Sequence, residues 1–381
     1  MDYTQSNKSL NKNVLFSIGA NWPAPSEEFI RYHLENCRYN SYALIGKKVF
    51  EVSQKKQINY NKFLLKIEYY YFKVFKQRRA GYFDIEHFEI CKIIKALKIS
   101  VLVSEYGDFG VENMRIVNYV KIRHIVIFRG GEIHVRKNLQ KYKTKYKYLI
   151  KDATAVIGVS KEICEILRQI NSVKPIYYLP SGAADDLLCL KESSAKITRE
   201  ILVIARFVEK KNPIGTIIII NEVLKKFPNV NFTIIGSGDF YSSVKLLVKY
   251  LEIESKINFI QKLDREEIKI AFENAEICLM NSWTAYNGDK EGTPGFVMES
   301  MAAGKAVIAS KHGGNIDLIK HGENGFLFNE GNIQEPVELI LDVLKNDLLS
   351  RQLGQNARSF IMDNKLTKST NLQKIEELMF S

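Results

Sequence analysis

Short runs of apolar, β-branched residues recur along the chain, separated by longer stretches in which apolar positions return every three or four residues. In the first half the runs are VLFSIG at 14–19, VLVSEY at 101–106, HIVIFR at 124–129, AVIGVS at 155–160 and PIYYLP at 175–180. Apolar residues at consecutive rather than alternate positions mark strands covered on both faces, and their alternation with helical periodicity predicts parallel α/β units. The rhythm lapses over SGAADDLLCLKESSAKITRE at 181–200, then restarts with ILVIAR at 201, NFTIIG at 231, INFIQK at 257, ICLMNS at 277 and AVIAS at 306. The pattern therefore predicts an α/β chain of two Rossmann-like halves. Expected boundaries are a first domain over 1–184, a linker near 185–198, a second domain over 196–352 and a helical segment over 353–381. Short internal repeats and low-complexity tracts are absent.

Length and composition agree with this layout. A chain of 381 residues with 46 % hydrophobic content is long enough to give each of two domains its own core. The start, MDYTQSNKSLNKN, lacks the apolar segment of a secretory signal, and no apolar run approaches the roughly 18 residues of a membrane span, so the expected location is the cytoplasm. Cys37, Cys91, Cys164, Cys189 and Cys278 are odd in number, scattered and without a C-x-x-C pair, which predicts reduced thiols rather than a zinc or redox centre.

The formal charge of +12 is uneven: residues 121–151 carry ten Lys or Arg against the single acid Glu132. Such an excess attracts anionic partners. A second basic segment, KFLLKIEYYYFKVFKQRRAGYF at 62–83, interleaves Tyr69, Tyr70, Phe72 and Phe75 with Lys66, Lys73, Lys76, Arg78 and Arg79. Two readings fit it: a helix lying on an anionic membrane surface, or an aromatic stripe facing the core with a solvated basic edge. Nucleic acid is not expected, because no recognised binding module accompanies the charge.

Ligands of open α/β sheets bind beyond the carboxyl ends of the strands, so the loops there hold the candidate chemistry. The segment NGDKEGTPGFVMESMAAGKAVIASKHGGNIDLIKHGENGFLF at 287–328 sets Glu291 and Glu299 on either side of an expected helix start. Thr293 suits the N-cap and Pro294 the first helical position, predicting a helix from Pro294 to Ala303 closed by Gly304. Free amides near Gly295 and Phe296 would then form an anion site, while the carboxylates suit hydroxyls. After ILVIAR, Arg206 stands at a strand end and Lys210 and Lys211 in the following turn; after NFTIIG comes the glycine turn GSGD with Gly236 and Gly238. A strand-following G-x-G-x-x-G with a downstream acid is missing from both halves, which argues against a dehydrogenase.

Together these motifs resemble the retaining, GT-B-fold nucleotide-sugar glycosyltransferases of family 4 (group 1), of the type that builds bacterial capsular and extracellular polysaccharides. The Glu291 to Glu299 pair matches that family's E-x7-E signature, and MAAGKAVIAS, HGGNIDLI and HGENGFLF follow its order of helix, strand, glycine turn and acid, with Asp317 where glutamate is frequent. Arg206 and Lys211 resemble the family's arginine and lysine pair, with Asn212 in place of the usual glycine, and GSGD falls at its "GxG" loop near the donor.

The resemblance implies a donor site in which Arg206 and Lys211 hold the diphosphate of a nucleotide-sugar, with a UDP-sugar expected. Gly295 and Phe296 would complete that anion site, Glu299 would bind ribose hydroxyls, and Glu291 would bind donor-sugar hydroxyls. Fixed cations at the leaving diphosphate make a metal redundant, so neither cofactor nor metal is expected, although Asp289-Lys290-Glu291 superficially resembles an Asp-x-Asp element. The acceptor implied is a saccharide or a lipid-linked saccharide, and the resemblance also implies that the helical segment over 353–381 crosses back to pack on the first domain.

Where relatives carry an HG-x-D element, this chain reads IFRGGEIHV, with Arg129 in the histidine position and His134 five residues on. A guanidinium binds anions but cannot cycle as a base. IGANWPAPSEEFIRYHLENC resembles the family's "SETFI" start through Ser26, Glu27, Glu28 and Phe29, which makes Glu27 a candidate acceptor contact. The rival readings keep the fold: a non-catalytic carbohydrate- or membrane-binding protein, a nucleotide-sugar epimerase, or a glycoside phosphorylase, the last without its pyridoxal phosphate lysine motif.

Overall fold

In the computed structural model, which describes residues 12–24, 27–75, 84–190 and 199–381, the consecutive apolar runs become the inner strands of two sheets. Strands β1 (Asn13–Gly19), β2 (Asn40–Ile45), β3 (Lys48–Glu51), β4 (Lys56–Ile58), β5 (Ile99–Ser104), β6 (Arg123–Phe128), β7 (Ala155–Gly158) and β8 (Ile176–Tyr178) form the first, in the order β4-β3-β2-β1-β5-β6-β7-β8. Strands β9 (Glu200–Ile204), β10 (Asn231–Ile235), β11 (Ile257–Ile260), β12 (Ile277–Met280), β13 (Ala306–Ser310) and β14 (Phe326–Phe328) form the second, in the order β11-β10-β9-β12-β13-β14. Neighbours run parallel except in the β2–β3 and β3–β4 pairs. Ser26, the side chain of Phe75, Lys76, Arg78, Arg79, the first eleven residues and linker residues 191–198 lie outside the described residues.

Four strands escape the apolar-run pattern, and the sheet edge explains two of them. In the antiparallel β3–β4 pair Val49 is fully buried while Lys48 and Lys56 are exposed, so one face is solvated and no consecutive apolar run marks it; the inner strand β2 buries only the short run Ala43, Leu44 and Ile45. β14 is only three residues, FLF, and takes its place by pairing with β13.

Helices α1 (Glu28–Asn36), α2 (Lys62–Phe75), α3 (Ile85–Ala96), α4 (Gly107–Val120), α5 (Arg136–Asp152) and α6 (Lys161–Ile170) accompany the first sheet. Helices α7 (Pro213–Lys226), α8 (Tyr241–Tyr250), α9 (Arg265–Asn274), α10 (Gly295–Ala302), α11 (Gln334–Lys345) and α12 (Asp347–Asp363) accompany the second, and α13 (Lys368–Phe380) ends the chain. Each sheet has a topological switch point. From β1 the chain moves to β2 on one side and later returns to β5 on the other; from β9 it moves to β10 and returns to β12. Loops at such a reversal splay apart and leave a crevice.

The C-terminal segment divides later than its sequence pattern indicates. Residue 353 is mid-helix, because α12 is continuous to Asp363 and buries Leu353, Ala357 and Ile361 in the second domain. The crossing occurs over residues 364–367, where Lys365 adopts φ +52° and the Thr367 side chain accepts from the Thr370 amide to cap α13. α13 then returns to the first domain, with Ile375 and Met379 inside its core. Cys37, Cys91, Cys164 and Cys278 are buried free thiols and Cys189 an exposed one.

Truncation of Ile375, which is only 1 % exposed, tests whether α13 belongs to the first domain's core. Ile375→Ala is expected to cost about 2–5 kcal/mol and to lower the urea midpoint. An unchanged midpoint would show that the returning helix adds nothing to that core.

Candidate functional site

The second-domain crevice opens where β9 and β12 end. Its first wall is the loop carrying Arg206, and a glycine turn braces that loop. Phe207 N–H donates to the Ser237 carbonyl at 2.8 Å, and Phe240 N–H donates to the Phe207 carbonyl at 3.1 Å. A Cβ on Gly236 would lie 1.9 Å from the Ala205 oxygen and one on Gly238 2.6 Å from the Phe207 oxygen, at φ +151° and +147°. Only glycine allows that approach. The GSGD turn therefore supports the arginine loop through its backbone. Arg206 is exposed, and among the described residues its guanidinium has no protein partner.

Beyond Arg206 the chain makes a tight turn through Glu209–Lys211, ended by Asn212 at φ +43°. Asparagine tolerates this left-handed position and adds something glycine lacks: its Oδ1 accepts the Gly215 amide at 3.1 Å and caps α7. Lys211 Nζ sits 3.0 Å from Glu291 Oε1, and Lys210 Nζ 3.1 Å from Asp289 Oδ2. Both acids of the Asp289-Lys290-Glu291 triplet thus face lysines, while Lys290 reaches Glu162 of the first domain at 2.8 Å.

Glu291 is buried. Burial alone would raise its carboxyl, but Lys211, with Lys210 and His312 further off, holds it down at about 2. Burial and the neighbouring cations Lys210 and Arg206 lower the Lys211 ammonium, against the attraction of Glu291. The Glu291 amide donates to His312 Nε2 at 3.2 Å, which leaves the Nδ1 proton to face Glu330 at 2.7 Å. His312 is a positioning residue that the sequence pattern did not single out, although it stands in the loop immediately after β13.

The helix start corrects the expected cap. Pro294 is the N-cap residue, and Thr293 spends its hydroxyl across the domain boundary, donating to the Val159 carbonyl at 2.5 Å. Gly304, at φ +68°, follows the C-cap Ala303. The amides of Gly295 and Phe296 precede the first intrahelical donor, the Met298 amide, and have no partner among the described residues. Buried Asn281 and Ser282 carry side-chain polar atoms without a partner among the described residues. With Lys211 and Phe296 these line a cavity of about 20 Å³, room for one water-sized group.

Glu299, one turn into α10, is where the two domains meet in charge. Lys368 Nζ at the start of α13 lies 3.4 Å from its Oε1, and Arg265 Nη1 at the start of α9 lies 3.6 Å away. Lys368 also holds Glu28 of α1 at 2.8 Å. Burial raises the Glu299 carboxyl, Lys368 and Arg265 oppose that, and Glu28 adds to it. Lys368 and Arg265 had no local sequence signal, since each is a solitary cation at a helix start 69 and 34 residues away in the chain.

On the first-domain side, Arg129 is already committed. Its Nη2 pairs with Glu105 Oε2, its Nε donates to the Glu105 carbonyl at 3.1 Å, and its Nη1 donates to Ser181 Oγ at 3.3 Å, over the ring of Phe29. Glu105 in turn meets His33 Nδ1 at 2.8 Å, and His33 Nε2 meets Asn371 of α13 at 2.9 Å. Burial raises the Glu105 carboxyl, yet Arg129 and His33 hold it at about 2.

Glu27 does not cap its own helix: it accepts from Tyr106 Oη at 2.6 Å and from the Ala24 amide at 3.0 Å. With Trp22, Tyr106 and Asp108 it lines a cleft of about 450 Å³ at the first sheet's switch point. His134 is buried beneath the 287–290 loop, 3.9 Å from Glu162, and burial lowers its pKa. Asp317 accepts the Lys161 amide at 2.8 Å, across the domain boundary at the start of α6.

The acidic network sets a pH dependence. A carboxyl held at about 2 in the folded chain and near its ordinary 4.5 when unfolded stabilises fully above pH 4.5, and that stability drains away as pH falls toward 2. Glu105→Gln is expected to cost about 3–5 kcal/mol at neutral pH by leaving Arg129 unpaired. It should also flatten the loss of thermal stability between pH 4.5 and 2; a parallel acid profile for wild type and variant would refute the assignment.

Residues 191–360 match the family described as Glycosyl transferases group 1. The amylovoran biosynthesis glycosyltransferase AmsK of Erwinia amylovora is 28 % identical over 252 residues, 65 % of this chain and 62 % of that protein. An uncharacterized glycosyltransferase of Methanocaldococcus jannaschii is 27 % identical over 287 residues, 75 % of this chain and 77 % of that one. The chain spans about six-tenths of the length of the first of these curated relatives. HepE of Anabaena, solved in complex with UDP, superposes with a TM-score of 0.72 over 96 % of this chain and 98 % of its own, at 16 % identity. TarM of S. aureus, solved with UDP, superposes with a TM-score of 0.62 over 88 % of this chain and 62 % of its own, at 19 % identity. The facing pair of Rossmann-like domains is thus the GT-B fold, and its second half, residues 191–360, is a glycosyl transferases group 1 domain.

Proposed function

We propose that this chain transfers a hexose from a nucleotide-sugar, with UDP as the nucleotide, to a saccharide or lipid-linked saccharide acceptor, with retention at the anomeric carbon and without a metal, in the synthesis of a bacterial surface polysaccharide. One observation carries the reading: Arg206, without a protein partner among the described residues, stands in the same loop as Lys211, whose pair with Glu291 closes on the segment leading to the α10 amides, likewise unpartnered among those residues. A free guanidinium, a buried ammonium and two helix-start amides are the donor set that a diphosphate requires.

In this reading Arg206, Lys211, Gly295 and Phe296 receive the diphosphate. Lys211 exchanges part of its contact with Glu291 for a phosphate oxygen, and the freed Glu291 oxygen accepts from hydroxyls of the donor sugar. Glu299, held between Lys368 and Arg265, accepts from the ribose hydroxyls. The bond from the anomeric carbon to the phosphate oxygen breaks while the bond to the acceptor oxygen forms on the same face; the departing oxygen takes the acceptor proton. Arg206 and Lys211 stabilise the charge that develops there. The acceptor occupies the cleft lined by Trp22, Glu27 and Asp108. Arg129, bound to Glu105, orders that cleft's floor rather than acting on a proton. The UDP complexes of HepE and TarM support the choice of nucleotide.

The alternative of a non-catalytic binding protein has its own observation, the commitment of Arg129 to Glu105 where relatives carry a histidine. Titration calorimetry and nucleotide release separate the two. Wild type is expected to bind UDP and to release it from a UDP-sugar when acceptor is added, and Arg206→Ala to weaken UDP about ten- to a hundredfold, the loss of one charge-assisted contact set. Binding without release would favour the non-catalytic reading. Failure to bind any of UDP, GDP or ADP, or an Arg206→Ala variant with unchanged affinity, would overturn the donor site.

A further inference from the structure

Helix α2 is apolar on two opposite faces, and among the described residues only one of them is packed. Leu65 and Phe72 turn inward, 5 % and 2 % exposed, and Phe72 packs its ring 4.9 Å from that of Phe88 on α3. On the other side Phe63, Ile67, Tyr70 and Val74, spaced four, three and four residues apart, form one stripe. They are 73, 53, 72 and 53 % exposed. Leu64 widens the stripe at 48 %. Water-facing helix positions are ordinarily polar, and a contiguous apolar stripe of this kind marks an interaction surface.

The charges flanking the stripe select its occupant. Lys62, Lys66 and Lys73, four and seven residues apart, run down one edge and are all exposed. Glu68, the sole acid between 62 and 74, lies toward the opposite edge and is neutralised by Lys92 at 2.7 Å. A protein partner would have to supply an apolar groove rimmed by acids on one side only. A bilayer surface supplies both requirements at once, because its headgroups accept aromatic and aliphatic side chains while anionic phosphates meet the lysines. The helix layer reinforces the field: α2 packs on α3, α3 on α4, and α4 on α5, whose Lys137, Lys141 and Lys145 are exposed.

We propose that α2 is a membrane-docking helix, seating the Phe63, Ile67, Tyr70 and Val74 stripe in the headgroup region of an anionic bilayer with Lys62, Lys66 and Lys73 against its phosphates. Tyr70 suits this depth, with an apolar ring and a hydroxyl that stays wet. Docking of this kind would hold the first-domain cleft near a lipid-borne substrate, yet it stands on the helix alone and does not depend on the transferase reading.

Sedimentation of the full chain with vesicles tests it. Wild type is expected to partition onto phosphatidylglycerol-containing vesicles in low salt, far less onto pure phosphatidylcholine, and to be released as salt rises. The triple substitution Ile67→Ser, Tyr70→Ser and Val74→Ser should lower partitioning at least tenfold. Lys62→Gln, Lys66→Gln and Lys73→Gln should lower it about fivefold per lysine. Ile67→Trp gives a second measurement: brominated lipid should quench its fluorescence on anionic vesicles, even if the apolar triple variant fails to fold. No partitioning onto anionic vesicles, or partitioning indifferent to both variant sets, would overturn the proposal. So would a wild-type dimer that the apolar substitutions dissolve while vesicle binding persists, which would assign the stripe to a second copy. UDP titration of each variant should be unchanged, so failure here is distinguishable from failure of the donor site.

Discussion

The architecture turns on a backbone contact between the two domains. Residue 292 approaches the Arg129 carbonyl so closely that a Cβ there would lie 1.9 Å from it, and Thr293 donates to the Val159 carbonyl next door. Glycine at 292 is what lets the loop leading into α10 rest on the loop leaving β6. That contact brings two switch points face to face. It also buries Glu291 just before α10, and a buried carboxylate must find a cation or lose its charge. Lys211 beside Glu291, Lys210 beside Asp289 and the inter-domain Lys290–Glu162 pair all follow from it.

Among the described residues, three buried or half-buried acids along the cleft have found partners. Glu105 has Arg129 and His33, Glu299 has Lys368 and Arg265, and Asp317 accepts an amide at the start of α6. Against that background Arg206 is exposed and without a partner among the described residues, and departures of this kind gather at functional sites. The returning helix α13 contributes Asn371 to the first-domain network and Lys368 to the second, so one element ties the two charge systems together. A change in the donor site that released Lys368 from Glu299 would be felt at Glu28 on the first-domain helix α1.

Parts of the site legible in the sequence were those whose chemistry is local. The two ends of a helix announce themselves through Pro294 and Gly304, and a cation at the end of an apolar run is placed by the strand it follows. Thr293 shows where that reasoning stops: it has the composition of an N-cap, but a carbonyl of the other domain competes for its hydroxyl and wins. Arg129 is the same lesson in charge. Its position in the chain pointed to the cleft, while its partner Glu105, on the neighbouring strand end, decides that it is held rather than free.

By itself the sequence determined the two α/β halves, because strands buried on both faces must be apolar at consecutive positions and helices must repeat every three or four. It also determined the cations after β9, the acids around α10 and the glycine turn that braces them, since strand ends and helix starts are set within one turn of chain. Only the tertiary structure decided which charges cancel. Lys368, Arg265 and His312 joined the site from distant elements, and α2 turned one apolar face inward while the opposite one stays exposed. Pairing of this kind depends on distances through space between residues tens to hundreds of positions apart, and local periodicity carries no record of them.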